Sequence, residues 1–125
     1  MISDVYFSRP VSGFIENDQF RYYTVQFDGS GVTIDVVASH GQVWCYASDT
    51  NYNPNSENYL WRFFISKYND MYINPASLGR THGRHLFVTI EGVNISNGFT
   101  LTFTSGDTSM TCKSACTGII FVLIL

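Results

Sequence analysis

The chain has 125 residues, the length of one domain, and at that size roughly two-thirds of the unfolded chain's surface can be buried without disulfides or metals. Charged residues make up 14% and aromatics 16% of the sequence, against about 25% charged in an average soluble protein; this excludes a disordered, solvated chain. The formal net charge is −3 and the seven Lys and Arg are scattered, which excludes the basic stripe of a nucleic-acid binder and a polybasic membrane patch.

The first residues, Met1 to Tyr6, lack the basic start and apolar core of a signal peptide. Beyond them the dominant hydrophobic period is two, the period of half-buried strands. Residues 19–27 place Tyr23, Val25 and Phe27 on one face and Tyr22, Thr24 and Gln26 on the other. Asp28-Gly29-Ser30-Gly31 is a turn signal. Residues 32–39 follow, with Val32, Ile34, Val36 and Ala38 inward and Thr33 and Asp35 outward, and Ser39-His40-Gly41 turns the chain again. Residues 42–48 put Val43, Cys45 and Ala47 on one face and Trp44 and Tyr46 on the other. Residues 49–58 form an Asn-rich loop containing Tyr52 and Pro54, longer than a simple hairpin turn.

Residues 59–65 return to alternation, Tyr59, Trp61 and Phe63 against Leu60, Arg62 and Phe64. A short strand over 71–73 stops at Asn74-Pro75, and residues 76–83 form a second loop. Residues 84–91 turn Leu86, Val88 and Ile90 inward and His85, Phe87 and Thr89 outward. Residues 97–104 turn Phe99, Leu101 and Phe103 inward beneath an outer row of Thr100, Thr102 and Thr104. The pattern carries no helical stripe. Short strands about ten residues apart, divided by Gly and Asn turns, predict an all-β fold, an antiparallel jelly-roll-type β-sandwich of about 8–9 strands.

From Gly106 the alternation weakens, so the sandwich is expected over 1–105, with 106–125 as a Cys-containing apolar tail. Residues 118–125 are too short to cross a bilayer. They read as a final strand, as the start of a truncated membrane segment, or as a lipid-anchor signal. Three cysteines are an odd number. Cys45, between Val43 and Ala47, is expected as a buried thiol. Cys112 and Cys116 are expected to pair with each other or with a group outside the chain.

Three blocks carry a family resemblance: Val11-Ser12-Gly13-Phe14-Ile15 with Arg21-Tyr22-Tyr23-Thr24-Val25; residues 41–48 with Asn53-Pro54-Asn55 and Tyr59-Leu60-Trp61-Arg62; and Leu86-Phe87-Val88-Thr89-Ile90-Glu91-Gly92 with Phe99-Thr100-Leu101. In order and spacing they resemble the bacterial pre-peptidase C-terminal domain, to which collagen-binding domains are related. The resemblance implies an extracellular sandwich without catalytic residues, appended for substrate binding or secretion. Where members often carry Gly-Asp-x-Asp, this chain has Gly41-Gln42-Val43-Trp44, and both acids are missing. It also implies calcium as a cofactor to consider; Glu16, Asp18, Asp28 and Asp49 are loop carboxylates but match no calcium motif.

Among chemistry-bearing residues, His82 and His85 have a His-x-x-His spacing without further zinc ligands, and His40 lies in a turn, so no metal site is assigned. Ser, His and Asp are present without a nucleophile elbow, and no enzyme is expected. The strongest signal is aromatic. Trp44 and Tyr46 on a sheet face, with Tyr52 in the loop at its rim, offer flat rings for stacking on sugars or clamping a peptide backbone. The competing reading is that the same rings pack beneath a covering loop. Asn94-Ile95-Ser96 is an N-glycosylation sequon with Asn94 as acceptor. The expected function is a non-catalytic extracellular or cell-surface module binding a glycan or extended protein. The alternative is a structural, self-associating domain of a surface protein or filament.

Overall fold

The computed structural model describes residues 2–27, 31–74 and 85–108. Nine strands run through them: β1 (Ile2–Val5), β2 (Val11–Glu16), β3 (Phe20–Gln26), β4 (Val32–His40), β5 (Val43–Ser48), β6 (Trp61–Ile65), β7 (Tyr68–Ile73), β8 (His85–Gly92) and β9 (Ser96–Ser105). They form a five-stranded sheet in the order β1-β3-β8-β5-β6 and a four-stranded sheet in the order β2-β9-β4-β7. Strands β2 to β9 taken alone give two four-stranded sheets, β2-β9-β4-β7 and β3-β8-β5-β6, with most successive strands crossing between them. This is the eight-stranded jelly roll.

The alternation read from the sequence sets which side chains face the core. Val25, Val88 and Ile90 from one sheet meet Val36, Leu101 and Phe103 from the other, and all six are buried. Tyr23 and Phe99 touch edge to face across the gap, with centroids 6.2 Å apart. Gly13, opposite Phe99 in register, leaves the space that the Phe99 ring fills; a Cβ there would meet the ring at 3.0 Å.

Three features depart from the expected strands. β1 and β2 add to the seven strands read from alternation; β2 pairs antiparallel with β9, whereas β1 pairs with β3 in parallel, so the larger sheet is mixed rather than wholly antiparallel. Only Val5 of β1 is buried, so no alternation marks it. β6 begins at Trp61 rather than Tyr59, because Leu60 N–H closes the preceding loop onto the Ala47 carbonyl at 3.0 Å. β7 begins at Tyr68, three residues before the expected start, where Asn69 and Asp70 pair with β4 despite their polarity.

Thr33 points outward as expected but is fully buried. Its hydroxyl donates to the Gly106 carbonyl at 2.6 Å and accepts from Thr108 N–H at 2.9 Å, so the chain beyond β9 folds back across β4. Cys112, Cys116 and the apolar tail lie outside the described residues, as do Asp28, His82 and the loop over 76–83. No helix of the described residues is long and apolar enough to cross a membrane.

Candidate binding site

The outer face of the five-stranded sheet, opposite the core, collects the aromatic side chains. Register arranges them in rows across the strands. One row reads Phe20 on β3, Glu91 on β8, Trp44 on β5 and Phe64 on β6; the next reads Tyr22, Thr89, Tyr46 and Arg62; a third reads Thr24, Phe87 and Ser48. Adjacent rows bring the rings together. Trp44 and Tyr46 lie near parallel, with centroids 6.1 Å apart and planes at 19°. Phe64 tilts against Trp44 at 5.1 Å, and Tyr59 against Tyr46 at 6.0 Å.

Arg62 lies over two of these rings, its guanidinium carbon 5.0 Å from the Trp44 centroid and 5.2 Å from that of Tyr59. This is cation–π geometry, in which the ring quadrupole attracts the planar cation. Tyr46 donates its hydroxyl to Glu91 Oε1 at 2.7 Å. Burial pushes the Tyr46 phenol well above its ordinary range, and the Glu91 hydrogen bond and charge add to the shift while Arg62 opposes it. The phenol therefore stays protonated and keeps Glu91 as its acceptor.

Trp44 and Tyr46 both lie on this face, but unequally. Trp44 is half-buried, whereas Tyr46 is only 2% exposed. The expectation of two exposed central rings is corrected for Tyr46: it is covered, and its ring lies beside that of Trp44 rather than open to solvent. Tyr52, in the loop between β5 and β6, is 67% exposed and stands edge-on to Phe87 at 5.6 Å and 88°. Phe87 in turn lies parallel to the exposed His85 ring at 6.1 Å. Thr89 Oγ1, at the centre of the sheet between Tyr22 and Tyr46, is buried without a hydrogen-bond partner among the described residues.

The loop that carries Tyr52 is built by its own side chains. Ser48 Oγ accepts from the N–H groups of Thr50 and Asn51, and Asn55 Oδ1 accepts from those of Glu57 and Asn58. Asn51 Nδ2 donates across the loop to the Asn58 carbonyl at 3.2 Å. Short amides that imitate backbone partners are what allow so long a polar loop to hold one shape.

Arg62, Phe64, Glu91 and Phe87 complete the face beside the residues singled out from the sequence. Their outward positions follow from alternation, but their proximity to Trp44 depends on β8 pairing with β5, strands some forty residues apart. His85 opens β8 on this face, 3.4 Å from Thr24 Oγ1 through Nδ1. Among the described residues no cluster of three or more His, Cys, Asp or Glu could hold a metal ion. Asn94 is exposed in the turn between β8 and β9. Cys45 is buried and unpaired, its thiol pushed far above the ordinary range by burial.

A scan of protein-family models and a search of curated proteins both return no match. Solved structures do match. The fold is similar to that of the pre-peptidase C-terminal domain of a collagenase from Bacillus anthracis, with a TM-score of 0.60 and 12% identity over 83% of this chain and 95% of that one. It is also similar to PliG of Aeromonas hydrophila, a periplasmic inhibitor of g-type lysozyme, with a TM-score of 0.51 and 8% identity over 82% of this chain and 97% of that one. The architecture that the three sequence blocks suggested is thus the architecture of the chain.

Proposed function

With the pre-peptidase C-terminal fold as premise, we propose that the chain is a non-catalytic binding module of the extracellular or periplasmic space, which takes a weakly charged glycan or extended protein on the outer face of its five-stranded sheet. The observation that carries this reading is the continuous aromatic surface around Trp44, Arg62 and Tyr59, with Tyr52 and Phe87 beside it. This face lies on the far side of the sheet from the core, and on it Tyr52 is exposed and Trp44 half-buried, so both rings remain open to a ligand while Tyr46 is covered. Two proteins of the same fold lend support, one a domain appended to a collagenase and the other an inhibitor of an enzyme.

Arg62 makes the surface adaptable. A guanidinium resting on Trp44 can move aside for a ligand ring or remain and donate to hydroxyls and carbonyls. Burying one such ring against a ligand contributes roughly 1.5–3 kcal/mol by area. The test compares the parent protein with Trp44→Ala and Tyr52→Ala in a glycan and matrix-protein binding screen, alongside thermal melts. Tyr52→Ala should leave the melt unchanged and weaken binding. Trp44→Ala should abolish binding at a stability cost of about 1–2 kcal/mol, less than the ~3–5 kcal/mol of a core aromatic. A core-sized loss of stability in Trp44→Ala, with no ligand found for the parent, would sink the reading in favour of packing.

A further inference from the structure

One corner of the aromatic face deepens into a cleft of about 520 Å³, lined by Asp4, Val5, Tyr6, Phe7, Thr24, Gln26, Phe27 and His85. Its volume lies in the range of small-molecule sites, about 300–1,000 Å³. The additional strand β1 makes it. Parallel register sets Asp4 beside Thr24, and antiparallel register sets Gln26 beside His85, so four polar side chains converge where β1, β3 and β8 meet. Tyr6, 65% exposed, and the half-buried Phe7 supply the aromatic wall.

We infer that this cleft is a subsite for a neutral, hydroxyl-rich ring, that is, one saccharide unit of a glycan. The lining decides between ligand classes. Among the described residues that line it none is Lys or Arg and one is the carboxylate Asp4, while the Arg9 guanidinium lies over the Tyr6 ring 6.0 Å from its centroid, so the lining itself carries no positive charge that selects an anion. With one carboxylate, and no cluster of three or more His, Cys, Asp or Glu among the described residues, the lining is poorer in charged ligands than a dedicated calcium site. A wholly apolar ligand would desolvate Asp4, Thr24, Gln26 and His85 without replacing their hydrogen bonds, and such unpaired groups are costly. A sugar ring satisfies all of them. Each hydroxyl both donates and accepts, which suits a carboxylate, an amide, a hydroxyl and an imidazole together, while the ring's C–H face packs on an aromatic wall.

The cleft also opens onto the rest of the face. His85 lies parallel to Phe87, and Tyr52 meets Phe87 edge-on, so a ring track leads from the cleft toward Tyr52. A glycan anchored in the cleft has somewhere to run. The inference rests on the binding-module reading above and narrows its ligand to carbohydrate.

The test is a titration of the isotopically labelled full chain, followed through its amide resonances, with neutral tetrasaccharides of glucose, N-acetylglucosamine, mannose and xylose, and with a proline-rich extended peptide. One tetrasaccharide should shift the amides of Asp4, Thr24, Gln26 and His85. Because Asp4 and Gln26 are exposed, Asp4→Ala and Gln26→Ala should fold as the parent does and weaken that binding by at least about tenfold. If no tetrasaccharide moves these amides at about 10 mM, the inference is overturned. It is equally overturned if sugars or the peptide shift only residues around Trp44 and Arg62, an outcome that leaves the binding-module reading intact. If no probe shifts any amide, both readings fail together.

Discussion

Asn97 is fully buried and uses all four hydrogen-bonding positions of its amide. Oδ1 accepts from the N–H groups of Gln42 at 2.9 Å and Asn94 at 3.0 Å; Nδ2 donates to the carbonyls of Ile15 at 3.0 Å and Asn94 at 2.9 Å. One side chain thereby ties β2, the β4–β5 turn and the β8–β9 turn at one end of the sandwich. The backbone closes around it. Gly41 has φ of +71°, and a Cβ there would collide with Asn97 Oδ1 and the Ser96 carbonyl; a Cβ on Gly92 would collide with the Glu16 carbonyl and lie 2.6 Å from Asn97 Nδ2. Replacing Asn97 by Ala strands buried backbone groups, each costing about 1–3 kcal/mol when unsatisfied. The expected loss is about 2–4 kcal/mol, read as a lowered midpoint in urea at unchanged slope. Asn97→Asp should be nearly as damaging, because an acid accepts where Nδ2 must donate to Ile15 and Asn94. An Asp variant as stable as the parent would show that those donations contribute little.

At the scale of strands, the β4–β7 pair sets two carboxylates face to face. Asp35 and Asp70 are register partners, and Tyr68 Oη lies 2.7 Å from Asp35 Oδ1 and 2.8 Å from Asp70 Oδ2. One hydroxyl proton serves one acceptor at a time. Burial raises the Asp35 carboxyl above its ordinary value; the Tyr68 hydrogen bond opposes this and the Asp70 charge adds to it. A raised folded pKa means the fold prefers protonated Asp35. Its contribution to stability is therefore complete below the unfolded value and is lost as pH rises through the folded value. Asp35→Asn should accordingly stabilise the protein relative to the parent at pH 7, and the advantage should vanish in acid near pH 3, where Asp35 is neutral in both states. Urea midpoints of the two proteins at both pH values measure it. A difference independent of pH would mean that the effect comes from packing rather than charge.

For the molecule as a whole, the two sheets bury one continuous core, and Cys45 lies inside it among Val43, Ala47, Ile90 and Phe63. Burial holds its thiol protonated, and the thiolate is the reactive form. Cys45 should then react with an alkylating reagent only when the sandwich opens globally. Peptide mapping of the label on Cys45 should give an opening free energy equal to that from urea unfolding. Faster labelling would reveal a sub-global opening of β5, the strand that carries Trp44, and would make the aromatic face less rigid than its packing indicates.

What the sequence determined by itself is the set of inward faces. Side chains alternate sides along a strand with period two, so Val25, Val36, Val88, Ile90, Leu101 and Phe103 declare their burial locally. The outward placement of Trp44, Tyr46, Phe87 and Arg62 follows from the same rule. What only the tertiary structure decided is which strands become neighbours. Pairing of β5 with β8 brings Glu91 to Tyr46, and pairing with β6 brings Arg62 over Trp44, because strand order is set by the summed burial of the whole sandwich and by no local signal. β1 was illegible for a related reason: four residues with one buried side chain carry no period, yet its parallel pairing with β3 creates the corner cleft. Asn97 was hidden more completely. The sequence reading places it at the start of a strand and shows nothing of its burial, and its worth lies in partners beyond its own turn, Ile15 and Gln42, which only the closed sandwich brings within 3.0 Å.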